Sequence, residues 1–454
     1  MERGNQWDAR SEGASGGESV AVAAGAHGAS PSAHLVGETR NVEVRPIPRI
    51  ARRVAATGAA VVMACALGLA PAAAQAANGG SPPTGSPPPA APAPAGGSGV
   101  LQGSGMWIWQ LPRAGSVPGI VARARSAGVR TVFVKSADGT HRWGQFNAST
   151  VSALRRGGLH VCAWQYAYGS RPYAEAAAGA SAKQAGAECF VIDAESEYEG
   201  RYVAADQYMR RLRQLLGATY PIAVAPFPYV DYHPGFPYSV FLGPGGAQAD
   251  QPQMYWFSIG TSPDANFVHT YTWNRLYARP IFPLGESWGR TPPAQIRRFR
   301  QLAQAYHAGG VSWWEWTQTG AAGWRALSQP LVALTGYRLA LSYPRLGLHS
   351  HGDPVVWAQE HLWSAGFHVP IDGGFGTGTR NAVLAFQGQK GLPRSGALDA
   401  ATWGALLRYS PVAVRWQTSR RAVVARATGG ELVAPPPASA PLPALAREIP
   451  PKPH

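Results

Sequence analysis

The chain has 454 residues, among them 54 glycines, 40 prolines and 3 cysteines, and 14% of its residues are charged. This length predicts two or three domains, and the glycine and proline content places part of the chain in linkers or tails. Three cysteines exclude a disulfide-stapled miniprotein and a cysteine-rich metal cluster. The net charge of +15 favours polyanionic surroundings, and it leaves nucleic acid, anionic lipid and an anionic cell wall open.

The N-terminal part of the chain is predicted to lie outside any folded domain. Residues 1–50 are polar and lack helical or strand periodicity, so we expect a disordered leader. Residues 51–76 combine two arginines, an apolar run and a small-residue cleavage pattern, which is typical of a secretory signal. An uncleaved membrane anchor and a lipobox ending at Cys65 are the alternatives. Residues 77–102 are rich in proline, glycine and alanine and predict an extended linker.

Short apolar runs of β-strand character recur between residues 103 and 335. The eight runs are Met106–Trp109, Thr131–Val134, Leu159–Cys162, Cys189–Ile192, Pro221–Val224, Gln253–Trp256, Pro280–Pro283 and Val311–Trp314. Most of the intervening segments carry helices with an apolar stripe and a capping residue, such as the one that begins at Ser116. This alternation predicts an α/β fold with a (β/α)8 TIM-like barrel; an open doubly wound sheet is the alternative. No glycine-rich phosphate motif follows the first strand, which argues against nucleotide binding.

Two carboxylates close the fourth predicted strand, and active sites of such barrels lie at the C-terminal strand ends. Asp193 and Glu195 are two residues apart, so both side chains should point to the same mouth of the barrel. Two close carboxylates repel each other, and one of them can then serve as a general acid beside an ionised partner. Glycoside cleavage needs this division of roles. Glu286 and Glu315, at the ends of strands seven and eight, are further catalytic candidates.

The other strand ends carry polar and aromatic side chains, and aromatic planes suit the apolar faces of sugar rings. The predicted substrate-binding residues are Trp109, Gln110, Asp138, Trp164, Tyr166, Tyr255, Trp256 and Trp314. An ion pair with Lys135, and burial of the aromatic rings as core layers, are the structural alternatives. Cys162 and Cys189 lie early in neighbouring strands, so we expect two separate buried thiols, with a disulfide as the alternative in an exported protein.

The Asp193-Ala-Glu195 ending, in a secreted and aromatic-rich barrel, resembles the Asp-x-Glu signature of family-25 muramidases and, more loosely, of chitinases. This resemblance implies that Glu195 is the general acid and that Asp193 orients or stabilises, in some members with help from the substrate's N-acetyl group. The first strand lacks the aspartate that muramidases carry there, and Phe190 to Ile192 lack the further aspartates of chitinases. A sugar-binding barrel without activity is therefore the alternative.

Residues 345–408 carry a second group of motifs. Two apolar stripes at helical spacing flank an Asp-Gly-Gly-Phe-Gly turn at residues 372–376 and predict a small bundle of three short helices. The segment strongly resembles the peptidoglycan-binding domain 1 family, which implies attachment to bacterial wall glycopeptide. The signature residues expected to build its turn and core are Asp372, Phe375, Phe386 and Trp403. Residues 409–454 are rich in proline with scattered arginines and predict a disordered basic tail.

Together these features predict a secreted or cell-wall-associated monomer whose partner is peptidoglycan or another wall glycan. We expect no nucleic acid partner, and contact with a membrane only through an uncleaved signal anchor. The histidines are scattered and form no His-Glu-x-x-His motif, so neither a metal site nor another cofactor is predicted. The leading hypothesis is a glycoside hydrolase. A non-catalytic glycan-binding protein and a metal-dependent barrel enzyme are the alternatives.

Overall fold

The computed structural model describes residues 98–417 and the backbone of residues 421–424. The predicted leader and signal, most of the linker and most of the tail lie outside these residues. Within residues 98–417, no helix combines the length and the apolar character that crossing a membrane requires.

Eight parallel strands form the wall of a barrel. The strands of this sheet are β1 (Gly103–Ile108), β2 (Val129–Asp138), β3 (His141–Arg142), β4 (His160–Ala167), β5 (Cys189–Ala194), β6 (Ile222–Ala225), β7 (Ala249–Asp250), β8 (Leu284–Glu286) and β9 (Gly310–Trp314). Their order is β7-β6-β5-β4-β2-β1-β9-β8, and the short β3 pairs with β2 alone. Parallel bridges from Asp250 to Ile281 and from Gln253 to Leu284 connect the two ends of this order. The predicted α/β barrel is therefore confirmed.

Helices follow most strands and pack outside the barrel wall. They are α1 (Leu111–Ala114), α2 (Val117–Ser126), α3 (Ala148–Arg156), α4 (Pro172–Ala180), α5 (Tyr202–Leu216), α6 (Tyr238–Leu242), α7 (Pro263–Asn274), α8 (Pro293–Ala305) and α9 (Ala321–Ser328). The side chains of Ser116, Asn147 and Ser262 accept a hydrogen bond from the backbone three residues later and so fix the starts of α2, α3 and α7.

Two strands lie elsewhere than the apolar pattern predicts. The sixth consists of β7 and the bridge at Gln253, and residues 254 and 255 lead into the turn that begins at Trp256. The seventh begins at Leu284, after the predicted run at residues 280–283. Prolines at positions 280 and 283 cannot donate a ladder hydrogen bond, so the run joins the sheet through the bridge at Ile281 and the hydrogen bond from Phe282 to Asp250. Trp256 packs on Phe299 between sheet and helices, and this burial explains the strand-like hydrophobicity of its segment.

The barrel interior is filled mainly by aromatic rings. Trp107 contacts Trp164 with ring centroids 5.3 Å apart, and both contact Trp314 at 5.8 and 5.5 Å. Nearer the N-terminal ends of the strands, Cys162 and Cys189 form a disulfide. The expectation of two separate thiols is thus wrong, because the register of β4 and β5 places the two cysteines directly opposite each other.

The helical module consists of α10 (Asp353–Ser364), α11 (Thr377–Gln389) and α12 (Ala400–Leu406). Two buried glutamines hold its turns. Gln359 accepts from the backbone of Asp372 and Gly373, and Gln387 accepts from the backbone of Gly396. The predicted core residues Phe375, Phe386 and Trp403 are buried in this module.

Two short strands follow the module. Strand β10 (Val414–Gln417) pairs antiparallel with β11 (Arg421–Val424). The ring of Trp416 in β10 is buried, and its centroid lies 4.5 Å from that of Tyr202 in α5. The predicted disordered tail therefore begins too early at residue 409, because an aromatic contact orders β10 against the barrel.

The module packs on the barrel through a buried carboxylate. Asp353, the first residue of α10, accepts hydrogen bonds from the hydroxyls of Tyr202, Tyr277 and Ser239 at 3.0, 2.6 and 2.7 Å. It also accepts from the backbone nitrogen of Ser239 at 2.9 Å. The indole nitrogen of Trp357 donates to the carbonyl of Leu276 at 2.6 Å. Barrel and module thus share one continuous core, which the apolar cluster spanning both confirms.

Candidate active site at the barrel mouth

The structure brings Asp193 and Glu195 together at the C-terminal end of β5. The side-chain nitrogen of Gln253 lies 3.1 Å from Oδ1 of Asp193 and 3.0 Å from Oε1 of Glu195. Because both oxygens contact the same nitrogen, they lie at most about 6 Å apart. Asp193 is fully buried, whereas Glu195 is half-buried and reaches solvent. One carboxylate is thus enclosed, and its partner can meet a solute.

Tyr255 lies among the carboxylates of the mouth. Its pKa is raised well above the usual range by burial and then by the charges of Asp193, Glu195 and Glu286. The phenol therefore stays protonated and can donate a hydrogen bond. Its hydroxyl is buried, and it has no hydrogen-bond partner among residues 98–417. Tyr255 thus offers a donor to a molecule that enters beside the two β5 acids.

Tyr166, at the end of β4, faces the same group of acids. Its hydroxyl donates to both oxygens of Glu197 at 2.9 Å. Burial raises its pKa, and the charges of Glu195, Glu197 and Asp193 raise it further. The ring is half-buried, and it packs edge-on to Tyr168 with centroids 4.9 Å apart. The predicted residue Tyr166 therefore lies at the mouth, and its hydroxyl is already hydrogen-bonded to Glu197.

Lys135 and Asp138 form an ion pair at the end of β2, as the structural alternative proposes. The ammonium of Lys135 lies 2.5 Å from Oδ2 of Asp138, whose other oxygen accepts from Tyr168 at 2.8 Å. The same ammonium lies 4.5 Å from the ring centre of Trp143 and 5.0 Å from that of Trp164. An ammonium held this way is a charged, aromatic-lined contact rather than an amine available for covalent chemistry.

Glu286 lies on β8 with its carboxylate turned into the loop after Gln253. Ser258 donates to it through its hydroxyl at 2.6 Å and through its backbone nitrogen at 3.2 Å, and the backbone of Phe257 donates as well. Burial raises the pKa of Glu286 to about 7, and these hydrogen bonds limit the rise. Glu286 therefore supports the loop, and its charge contributes to the raised pKa of the neighbouring Tyr255.

Glu315 follows β9 and is fully buried. One of its oxygens accepts from the hydroxyl of Thr317 and, at 2.8 Å, from the backbone of Gln318. The other oxygen is buried without a hydrogen-bond partner among the described residues. The structure thus places Glu315 within its own turn, and its catalytic role stays a prediction.

The predicted aromatic residues divide between two layers. Trp109, Trp164 and Trp314 belong to the cluster inside the barrel, and the indole nitrogen of Trp109 is buried with no hydrogen-bond partner within residues 98–417. Trp256 belongs instead to the layer between sheet and helices, where its indole nitrogen donates to Gln295 at 2.9 Å. The prediction that Trp256 lines the mouth is therefore wrong. Gln110 is half-buried and precedes α1.

Sequence reasoning missed three polar residues of this mouth. The apolar pattern places Gln253 only in a strand, whereas its side chain bridges both acids. Glu197 lies two residues after Glu195 and accepts a hydrogen bond from Tyr166. Tyr168 lies two residues after Tyr166 and donates a hydrogen bond to Asp138. Polar residues just beyond the strand ends are the sequence signal that indicates both. Among the residues the structure describes, no group of three histidines, cysteines or acids is arranged to hold a metal ion.

Residues 351–406 match the family model described as a putative peptidoglycan binding domain. The chain is also similar in fold to solved structures. One is a chitinase from Chromobacterium violaceum ATCC 12472, with 13% identity and a TM-score of 0.38 over 50% of this chain and 98% of that one. Another is the catalytic domain of a hyperthermophilic chitinase from Pyrococcus furiosus, with 10% identity and a TM-score of 0.40 over 50% and 94%.

The modular autolysin LytC from Streptococcus pneumoniae is similar over 32% of this chain and 37% of its own, with 14% identity and a TM-score of 0.25. Similarity at these levels carries no functional argument. No curated protein matches the chain.

Proposed function

We propose that this protein binds peptidoglycan through its helical module and hydrolyses a glycosidic bond in peptidoglycan or a related N-acetylated glycan. The observation that carries the proposal is the convergence of Asp193 and Glu195 on Gln253 at the mouth of an aromatic-rich barrel. The match of residues 351–406 to the putative peptidoglycan binding domain supports the choice of substrate.

In this proposal Glu195 is the general acid and Asp193 is its ionised partner. Glu195 is the half-buried member, so its proton can reach the glycosidic oxygen of a bound strand. As the bond to that oxygen breaks, positive charge develops on the sugar, and the buried charge of Asp193 stabilises it. Glu195, now a carboxylate, then accepts a proton from the water that completes hydrolysis.

The separation of the two acids favours retention of configuration. Inverting enzymes hold their carboxyl groups ~6.5–9.5 Å apart, so that a water fits between acid and base. Here the two oxygens that contact Gln253 are at most about 6 Å apart, which is below that range. The first product should therefore carry the anomeric configuration of the substrate, and proton NMR of early products measures this directly.

We further propose that the protein is secreted or associated with the cell wall. The Cys162–Cys189 disulfide supports this location, because such bonds persist in oxidising compartments. The secretory signal predicted at residues 51–76 would provide the route, and N-terminal sequencing of the exported protein tests it.

Replacement of the proposed acid is the decisive experiment. Glu195→Gln keeps the shape of the side chain but removes the proton donor, so we expect release of reducing ends from purified peptidoglycan to fall by about 100-fold or more. Glu188→Gln is the matched control. Glu188 precedes β5, so it lies at the end of this strand opposite to Glu195, where it pairs with Arg155. Unchanged release by Glu195→Gln would remove Glu195 from the mechanism.

A non-catalytic wall-binding protein is the second candidate. The complete burial of Asp193 favours it, since a carboxylate held by an amide can also stabilise a barrel mouth. Under this reading the unaltered protein sediments with peptidoglycan yet releases no reducing ends and no fragments detectable by mass spectrometry.

A further inference from the structure

A cavity of about 520 Å³ lies at the junction of the barrel and the helical module. Helix α5, the loop after α6, helix α10 and strand β10 contribute to its wall. Its charged lining residues are Asp206, Arg210, Arg213, Arg279, Glu360 and Arg415. The cavity does not include Asp193 or Glu195, so it is a different site from the barrel mouth.

Two of its arginines are held by uncharged oxygens. Arg213 donates to the carbonyls of Tyr220 and Gly246, each at 2.7 Å, and to the side-chain oxygen of Gln248 at 2.6 Å. Arg279 donates to the carbonyls of Leu242 and Gly243 at 2.6 and 2.9 Å through two of its three guanidinium nitrogens. Neither has a carboxylate partner within residues 98–417. Burial lowers the pKa of Arg213 to about 10, and the charge of Arg279 contributes to this shift. Two partly buried cations that repel each other are stabilised when an anion binds between them.

The cavity also carries buried acceptors. The carboxylate of Asp206 pairs with Arg210 at 3.0 Å and also accepts a hydrogen bond from the backbone of Trp416. In contrast, Oε2 of Glu360, a residue that is 3% exposed, has no hydrogen-bond partner in the described part of the chain. Buried polar atoms without partners are rare in folded proteins and point to a ligand or ordered water. The lining thus offers cations for a carboxylate and, in Glu360, a buried carboxyl group whose pKa burial raises well above its usual range and which can hydrogen-bond the polar groups behind that carboxylate.

We propose that this cavity binds the carboxylate end of a short peptide, as carried by the stem peptides of peptidoglycan. The choice of this ligand rests on the proposed function. Its volume lies in the ~300–1,000 Å³ range typical of small-ligand sites. Since barrel and module both line the cavity, the peptide contacts both parts of the protein at once.

Calorimetric titration of the full chain with an N-acetylated Lys-D-Ala-D-Ala tripeptide tests this site. We expect saturable binding and no binding of the same tripeptide with a C-terminal amide, because the amide lacks the negative charge. Arg279→Gln should weaken binding about tenfold or more, as expected for loss of a charge-assisted hydrogen bond. Arg415→Gln provides a second variant at an exposed position, with a smaller effect on folding. Arg297→Gln in α8, away from the cavity, should bind as the unaltered protein does.

The outcomes separate this site from the proposed hydrolysis. Glu195→Gln should keep full tripeptide binding, and Arg415→Gln should keep reducing-end release from glycan strands that lack peptides. Tripeptide binding without any hydrolysis would overturn the proposed enzyme and leave the site intact. Three results would each overturn the site. The first is equal binding of the acid and amide tripeptides, and the second is unchanged tripeptide binding in both Arg279→Gln and Arg415→Gln. The third is binding of a polyol-phosphate polymer in place of the tripeptide.

Discussion

The side-chain amide of Gln253 has two hydrogens and three acceptors within reach. Besides Asp193 and Glu195, the carbonyl of Ala225 lies 3.0 Å from its nitrogen. Sharing two hydrogens among three oxygens fixes the orientation of the amide and keeps the two carboxylates at a defined separation. Gln253 is therefore a positioning residue for the proposed reaction.

Gln253→Met tests this role, because methionine keeps the length of the side chain and removes the donor. Without its N–H groups the ionised Asp193 loses stabilisation and its pKa rises, so the acid limb of the pH–rate profile should move to higher pH. We expect kcat to fall by about 10- to 100-fold. Gln301→Met, on the outer helix α8, is the control. A variant with a lower kcat but an unshifted profile would show that Gln253 only supports the fold.

Glu286 predicts a pH dependence of stability. Burial raises its pKa from the usual value near 4.5 to about 7 in the folded protein, so folding favours the protonated form. The stabilisation is complete at pH values below about 4.5 and is lost as the pH rises through about 7. Relative to Glu286→Gln, the unaltered protein should lose up to about 3 kcal/mol between these limits.

Urea unfolding at intervals from pH 4 to pH 8 measures this difference, and comparison with the glutamine variant cancels contributions from other groups. Parallel stability curves for the two proteins would show that Glu286 ionises equally in the folded and unfolded chain.

At the scale of elements, the start of helix α10 serves as the attachment point of the module. The carboxylate of Asp353 accepts hydrogen bonds from Tyr202 at the start of α5, from Tyr277 and from Ser239 in α6. Burial raises its pKa to about 6, and the hydrogen bonds limit that rise. The contact joins residues up to 151 positions apart in the chain, so it depends on the complete fold.

Asp353→Ala would leave these donors buried without an acceptor. We expect the free energy of unfolding to fall by about 2–4 kcal/mol, measured as a lower urea midpoint with an unchanged slope. Asp372→Ala, in a half-buried turn of the same module, should cost less, because only two donors within residues 98–417, Gln359 and Gly374, contact its carboxylate. Equal losses in the two variants would contradict a special role for the junction.

The elements that sequence predicts well are those with local signals. Alternation of strands and helices was sufficient for the barrel, and the turn at residues 372–376 with its flanking stripes was sufficient for the module. The spacing of Asp193 and Glu195 also predicted that they point together. In contrast, Gln253 reaches them only because the registers of β5 with β6 and of β6 with β7 bring it level with the end of β5. The disulfide likewise depends on the register of β4 against β5, which no local pattern specifies.

For the whole molecule, the shared apolar cluster predicts a single cooperative unit. Side chains of the barrel and of the module belong to one buried cluster, which Trp357 enters from α10 and Trp416 from β10. Residues 98–417 should therefore unfold in one transition, with coincident changes in tryptophan fluorescence and circular dichroism. Limited proteolysis should likewise fail to release a stable barrel. Two separate transitions would show that the module folds independently.

The buried junction also has a consequence for how the protein would act on a polymer. A module joined by a loose tether lets its enzyme sample bonds at many distances from the point of attachment. Here the Asp353 contacts hold the module against the barrel. Under the proposed function, the distance between the module that binds the polymer and the mouth that cleaves it is therefore fixed. Digests of long glycan strands should then show a narrow distribution of fragment lengths, which Asp353→Ala broadens.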